Sequence, residues 1–511
     1  MTAISGTTST TLTTTTFTEV AQDLTLGMAD KVLSMGSHLY DMAKTSVHTY
    51  PYVIPTTAAA LLAGYFFFLH SKKTPPPSSL HLVKTVELCI KHKNYQGTQP
   101  VIAEFVSKLF QSTDFQQKVG STGTNAHTVR YLQEKIKKIT DDSEIEPLSK
   151  VEIVENVINN FAEELSKAQS RTYSDMETGN LEYLGIKITD KITQIQPLGD
   201  ETHNRGKIPL RILLESGKSI VYKPRSMLPE KVICDPNEGI LRHEGFGTYR
   251  VVCRQDKNEE EYGYSSFIQN IEAQNTVSNP QELKEYVRKM LVLEKVAQSL
   301  GLSDLHYLNI ITENLSPCII DAEVFLNPPE ITSGLLSKSN GPLYVFDIMS
   351  GYDKAFQGKN KVWFELAFAS KYKSDFRFKI SPEAFKELKI DVEKMQDSTE
   401  LSEQTLFAIE DARTLLKQSP GRFVLKETPH LTKMQLNMDH NNKHSIDIFI
   451  ESVKEWLNTL DFQFEPEAES AIREGVIEDT RHHDIPAFYY NSQKGEALYH
   501  GAVIGTRSLH M

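Results

Sequence analysis

A chain of 511 residues is long for one domain, so two or more compact units are expected. Its 39% hydrophobic and 24% charged residues exclude a wholly disordered protein, and 67 acidic against 55 basic residues, a net charge of −12, argue against nucleic acid as a partner. The four cysteines, Cys89, Cys234, Cys253 and Cys318, are scattered with no CxxC or Cys–His spacing, which suggests a reducing compartment rather than a disulfide framework or a cysteine-ligated zinc site.

In chain order, residues 1–48 carry the Thr-rich run "TTSTTLTTTTFT" and predict a disordered segment. Residues 49–71 predict a transmembrane helix. Positions 45–71 hold no Asp, Glu, Lys or Arg, and Tyr52–His70 as a helix would reach roughly 28 Å, near the hydrocarbon thickness of a bilayer. Lys72 and Lys73 follow directly, which favours a membrane-anchored protein with its catalytic domain on the cytoplasmic side. A buried hairpin or helix is the alternative for this run. Residues 72–80, with "TPPPSS", read as a linker.

Residues 81–195 predict a helical region, because "VIAEFVSKLF" and "VEIVENVINNFAEEL" space apolar residues by three and four. The period then changes. "IPLRILLESGKSIVYKP" alternates about "ESGK" and predicts a hairpin ending in Lys223, while "DKNEEEYG" reads as a charged hairpin or solvated turn. A helix follows over 279–300, with Leu283, Val287, Met290, Leu291 and Leu300 on or near one face and Gly301 as its stop.

The next stretch, "GLSDLHYLNIITENLSPCIIDAEVF" (301–325), is where the chemistry concentrates. Phosphoryl transfer needs a carboxylate at the attacking hydroxyl, oxygen ligands for Mg²⁺ and a lysine on the phosphates. Asp304 fits the first need, Asn309 and Asp321 the second, and Lys223, with Arg225 beside it, the third. Taken singly, the Asp-x-His-x-x-Asn pattern also suits a capped helix–loop junction, and Asp321 a strand-terminal turn.

Four ordered motifs, "GDETHNRGKIPLRILLESGKSIVYKPRSM", "SDLHYLNIITENLSPCIIDAEVF", "GRFVLKETPHLTKM" and "DIPAF", together resemble the dehydratase domain of class II lanthipeptide synthetases, the LanM enzymes. The resemblance spans about residues 150–490. It implies an α+β fold akin to lipid kinases, with a two-lobed catalytic domain made of an N-lobe over 196–300 and a C-lobe over 301–511. It also implies ATP- and Mg²⁺-dependent phosphorylation of Ser and Thr in a precursor peptide, then elimination of phosphate in the same site. On that pattern Lys223 and Arg225 hold the ATP phosphates. Asp304 and His306 form the catalytic-loop pair, with Asn309, Asp321 and Glu323 at the metal. His203, Arg422 and Thr428 serve elimination, together with an acid that is either Asp200 or Glu201.

Three departures from the family pattern stand out. Lys426 occupies the place of a second arginine, and Ser266 in "YGYSSF" replaces an acid whose loss bears on lysine or metal positioning. The zinc-dependent cyclase domain that usually follows "DIPAF" is not expected, so ring closure would need a separate cyclase. A kinase that only phosphorylates and a nucleotide-binding pseudoenzyme are the rival readings. Arg481, His482 and His483 read as a solvated loop, and "NMDHNNKHS" as a polar one.

Overall fold

The computed structural model describes residues 122–123, 125–141, 147–199, 201–245, 248–269, 276–303, 305, 309–326, 364–365, 379–380, 395, 397–417, 421–423 and 443–507. The chain divides into two compact units, Met1–Val101 and Ile102–Met511, and every described residue lies in the second. The expected disordered segment, transmembrane helix and linker over residues 1–80, and "VIAEFVSKLF", lie outside the described residues.

Two helices open the described fold, α1 (Ala126–Asp141) and α2 (Pro147–Glu177). The stripe Ile153, Val157, Phe161, Leu165 and Ala168 on α2 is buried, as three- and four-residue spacing requires. It packs on an antiparallel sheet of β1 (Ile192–Pro197), β2 (Leu210–Leu214), β3 (Ser219–Lys223), β4 (Val251–Gln255) and β5 (Glu261–Ser266), ordered β1-β2-β3-β5-β4. A short helix, α3 (Leu228–Cys234), lies between β3 and β4. Both expected hairpins form, "ESGK" joining β2 to β3 and "DKNEEE" joining β4 to β5.

After β6 (Thr276–Val277), helix α4 (Pro280–Leu300) begins where the Asn279 side chain accepts the Glu282 N–H. It stops at Gly301, whose φ of 58° is the left-handed cap that glycine adopts without steric cost. Leu283, Val287, Met290, Leu291 and Leu300 are all fully buried, as the helical period predicts. They join a second core with α3, the hairpin β7 (Ile310–Glu313)–β8 (Ser316–Ile319) and, past β9 (Phe364–Glu365) and β10 (Lys379–Ile380), helix α5 (Glu403–Leu416). β10 pairs in parallel with β6 and antiparallel with β9. A third core lies under the sheet β11-β13-β14-β15-β12. The sheet consists of β11 (Gly421–Phe423), β12 (Gln463–Phe464), β13 (Phe488–Asn491), β14 (Glu496–Tyr499) and β15 (Ala502–Thr506), and the core draws on α6 (Lys443–Thr459) and α7 (Glu469–His482). Helices on largely antiparallel sheets make this an α+β fold.

The membrane expectation is corrected. Among the described residues no helix is long and apolar enough to cross a bilayer. The longest described helix, α2, carries Glu152, Glu155, Glu163, Glu164, Lys167 and Arg171, and its apolar stripe is spent on the sheet rather than offered to lipid. The expected span, Tyr52–His70, lies outside the described residues. Membrane anchoring, and the cytoplasmic placement that rested on it, are withdrawn.

Between α2 and the sheet runs a buried polar seam. Asp175 accepts hydrogen bonds from the hydroxyls of Tyr262 (2.8 Å) and Tyr264 (3.0 Å) and pairs with Arg254 at 2.9 Å. Arg171 donates to the Tyr222 hydroxyl at 2.8 Å and pairs with Asp256 and Glu260. Glu164 is less well served: its Oε1 is buried without a hydrogen-bond partner. Burial pushes its carboxyl up to about 7, against the pull of Lys167, Lys207 and Arg171. From the ordinary carboxylate range to about 7, the folded chain therefore keeps a proton that the unfolded chain has lost, and stability falls as pH rises through that window. Glu164→Gln removes this titration and is expected to stabilise the fold near pH 8 by on the order of 3 kcal/mol, and far less near pH 5. Urea denaturation at the two pH values checks it; an equal effect at both would contradict the assignment.

Candidate functional site

β3 ends at Lys223 because Pro224 has no N–H with which to continue the ladder. On the far side of the strand Lys223 pairs with Gly263, where an added Cβ would come within 2.6 Å of the Val252 carbonyl and 2.9 Å of Met227. That crowding explains the glycine in "YGY". The Lys223 ammonium is buried, and donates to Glu230 Oε1 (3.1 Å), the Ile320 carbonyl (2.7 Å) and Asp321 Oδ1 (3.2 Å). Arg225 reaches the same acids, pairing with Glu230 at 2.5 Å, with Asp321, and through Nε with Glu323 at 2.9 Å.

Glu230, on α3, is wholly buried and holds both cations. Burial alone would raise its carboxyl, but Arg225 and then Lys223 outweigh it and keep the group below the usual carboxylate range. Sequence reasoning missed Glu230. The available signal was an acid in the largely apolar "MLPEKVIC", seven residues past the lysine, so one helical step after a tight turn returns it to the strand end.

A hairpin carries Asn309 and Asp321 at its two chain ends. β7 and β8 pair Ile310 with Ile319, and the Ile320 N–H donates to the Asn309 carbonyl at 2.9 Å, so both residues flank the open end. The closed end is a two-residue turn, Asn314 and Leu315, with φ of 50° and 53°. This brings together Lys223, Arg225, Asp321 and Glu323, with Asn309 beside Ile320. Asp304 and His306 lie outside the described residues.

The His203 segment sits at the same end of the sheet. Pro197 pairs with Leu210 and Leu210 with Tyr222, which puts the β1–β2 loop at the end of the strands where β3 finishes in Lys223. His203 and Lys207 bridge through two backbone hydrogen bonds around Asn204, Arg205 and Gly206, whose φ values of 47°, 66° and 75° are all left-handed. "DIPAF" packs directly on this turn. The Asp484 carboxylate accepts the N–H groups of Arg205 (2.6 Å) and Gly206 (3.1 and 3.2 Å), and the Ile485 N–H donates to the Thr202 carbonyl at 2.8 Å. His203 Nδ1 lies 2.7 Å from the Ile485 carbonyl. A carbonyl only accepts, so Nδ1 carries the proton and Nε2 is the basic nitrogen of the neutral ring.

β13 continues from "DIPAF", and there Arg422 on β11 is the register partner of Tyr489, whose hydroxyl accepts from Asn204 at 3.0 Å. One strand thus joins the segments of His203 and Arg422. Asp200, Lys426 and Thr428 lie outside the described residues, and Glu201 is exposed.

Two expectations change. Ser266 pairs with Ile220, three residues along β3 from Lys223 and so roughly 10 Å away. The missing acid at 266 therefore does not deprive Lys223 of a partner; Glu230 supplies it. Arg481 and His482 end helix α7 rather than forming a solvated loop, and His483 caps it with a φ of 53°. Burial, with Lys135 and Lys138 nearby, pushes the His483 imidazole down to about 3, so it is neutral in the fold.

Residues 150–343 match a family model described as "Domain of unknown function (DUF4135)". The chain is also 29% identical over 137 residues to the Lacticin 481/lactococcin biosynthesis protein LcnDR2 of Lactococcus lactis subsp. lactis. That match covers 25% of this chain and 14% of the relative. Both bear out the resemblance to the LanM dehydratase domain, and the span of the first holds Lys223, Arg225, Glu230, Asp321 and Glu323.

Glu230→Gln leaves two cations beside a neutral amide in a buried site. Breaking a buried ion pair on one side costs about 3–5 kcal/mol. Chemical denaturation of Glu230→Gln is expected to show a loss of that size, whereas a loss below about 1 kcal/mol would place the pair in the class of surface salt bridges.

Proposed function

We propose that this protein acts in lanthipeptide biosynthesis as a dehydratase. It takes a phosphoryl group from ATP onto Ser or Thr hydroxyls of a peptide rich in those residues, then eliminates phosphate to leave a dehydroamino acid. The observation that carries the reading is the convergence of Lys223, Arg225, Glu230, Asp321 and Glu323 at the end of the sheet that also bears the His203 loop. A two-lobed, kinase-like arrangement is part of the proposal.

The charges support a metal requirement. Two cations against three carboxylates leave one net negative charge when all are ionised, so a bare polyphosphate gains little there. Among the described residues no group of three or more His, Cys, Asp or Glu is arranged to hold a metal. Mg²⁺, however, takes few protein ligands and completes its shell with water and phosphate oxygens. Asp321, with 30% of its side chain exposed while Glu230 has none, and Asn309 at the same hairpin end are hard-oxygen donors that fit this ion. When bound, the cation neutralises charge developing on the phosphoryl oxygens.

In transfer, Lys223 and Arg225 bind and orient the phosphates, and Glu230 fixes both side chains. The substrate hydroxyl oxygen attacks the γ-phosphorus, the bond to the β-phosphate oxygen breaks, ADP leaves, and Asp304 accepts the hydroxyl proton. In elimination, a base removes the peptide α-proton, the bond between the β-carbon and the phosphate oxygen breaks, and a carbon–carbon double bond remains. His203 Nε2 handles a proton in this step, and Arg422, always charged, supports the departing phosphate, with Thr428 in the same motif.

Asp321→Ala is expected to abolish ATP turnover while the chain stays folded; full turnover in this variant, or in EDTA, would refute the phosphotransferase reading. Arg422→Ala is expected to slow elimination by about 10²–10³-fold, as loss of one oxyanion donor does, so that phosphopeptide accumulates. Mass spectrometry over time distinguishes the gain of a phosphoryl group from the net loss of water. If the wild-type protein stops at the phosphopeptide, the lyase half is wrong and a kinase-only activity takes its place.

A further inference from the structure

Asn204 and Arg205 are not glycines, yet both sit at positive φ immediately after His203. At a residue such as Arg205 this costs about 1–2 kcal/mol, less at Asn204, whose short polar side chain tolerates it, and it persists only where its surroundings over-determine it. Gly206 completes the turn, and even there a Cβ would lie 2.9 Å from Asn160 Cβ, so the turn has little room to relax.

What holds it is Asp484. Its carboxylate is 1% exposed and sits in the concavity formed by the successive N–H groups of Arg205 and Gly206, an anion nest filled from within the protein. Burial pushes this carboxyl up to about 6, with the Thr202 hydroxyl and the Gly206 N–H pulling it back. An acid kept in so dry a place, on a strained turn one residue from an imidazole, goes beyond what packing requires. The next residue, Ile485, makes the bond that selects the imidazole tautomer.

We propose that Asp484 is a positioning residue for His203: by clamping the left-handed turn 204–206 it holds Nδ1–H on the Ile485 carbonyl and makes Nε2 the nitrogen that exchanges protons with substrate. This rests on the elimination role proposed above for His203. Asp484 itself touches no reacting atom. Its carboxylate accepts two N–H groups of one turn, which Asn, with one acceptor oxygen and an N–H₂ turned toward the nest, reproduces only in part.

The test reads the imidazole directly. In the full-length protein carrying isotope-labelled histidine, nitrogen chemical shifts distinguish a protonated from a bare ring nitrogen, and His203→Ala identifies which signals belong to His203. Wild type should show the Nδ1–H tautomer. Asp484→Ala should shift His203 toward a mixture of tautomers, with Asp484→Asn intermediate. Phosphate release from a synthetic phosphoserine peptide should fall by roughly 10²-fold in Asp484→Ala, the scale of a misplacement of about 1 Å, and outstrip any change in transfer from ATP. An unchanged His203 tautomer in both variants overturns the proposal, as does an equal loss of both reactions tracking a loss of stability. If Asp484→Ala does not fold, Asp484→Asn decides alone. If the tautomer responds but wild type releases no phosphate, the positioning role stands and the elimination reading is what fails.

Discussion

Glu230 is the constraint around which the candidate site is arranged. Lys223 and Arg225 are two residues apart, and cations that close repel each other strongly where water is scarce. A single wholly buried carboxylate between them turns that repulsion into a fixed geometry, and the partly exposed Asp321 and Glu323 then complete a ring of charges. The buried acid sets the shape, and the two partly exposed acids form the face of the cluster that solvent or ligand can reach. A cluster with the same net charge but with Glu230 in solvent would let both cations swing.

The sheet and the hairpin serve this arrangement from opposite sides. Tyr222 and Tyr264 bind the sheet to α2 through Arg171 and Asp175, so β3 cannot slide without breaking buried hydrogen bonds. On the other side, α3 and the β7–β8 hairpin share a core with α4, where Tyr249 and Cys234 both reach the Ile319 carbonyl. Lys223 therefore comes from one packed layer, and Asp321 from another. Their meeting depends on both cores.

Much of this was legible because local pattern and tertiary demand agree. Helix 280–300 announces itself by its period and its Gly301 stop, the "ESGK" hairpin by alternation around a polar turn, and the "DKNEEEYG" turn by its run of charges. Lys223, Arg225, Asp321 and Glu323 were legible through motif and chemistry. Glu230 and Asp484 were not assigned, because their importance lies in what they touch across the fold, and an isolated acid beside apolar residues carries no label. His482 and His483 looked like loop residues because two histidines before "DIPAF" break hydrophobic period, yet the helix runs on through His482. The apolar run before residue 72 shows the opposite risk: hydropathy measures a wish for burial and does not say by what.

The contacts that fix the His203 turn have a further consequence, for the order in which the site is assembled. Lys223 and Asp321 are 98 residues apart in sequence, whereas His203 and Ile485 are 282 apart. Loop-closure entropy and synthesis from the N-terminus both make the longer-range contact later. The phosphate-facing cluster can therefore close on a nascent chain while the turn beside it is still waiting for its clamp. Of the two chemistries proposed for one end of the sheet, the one that needs His203 is the last to be folded into existence.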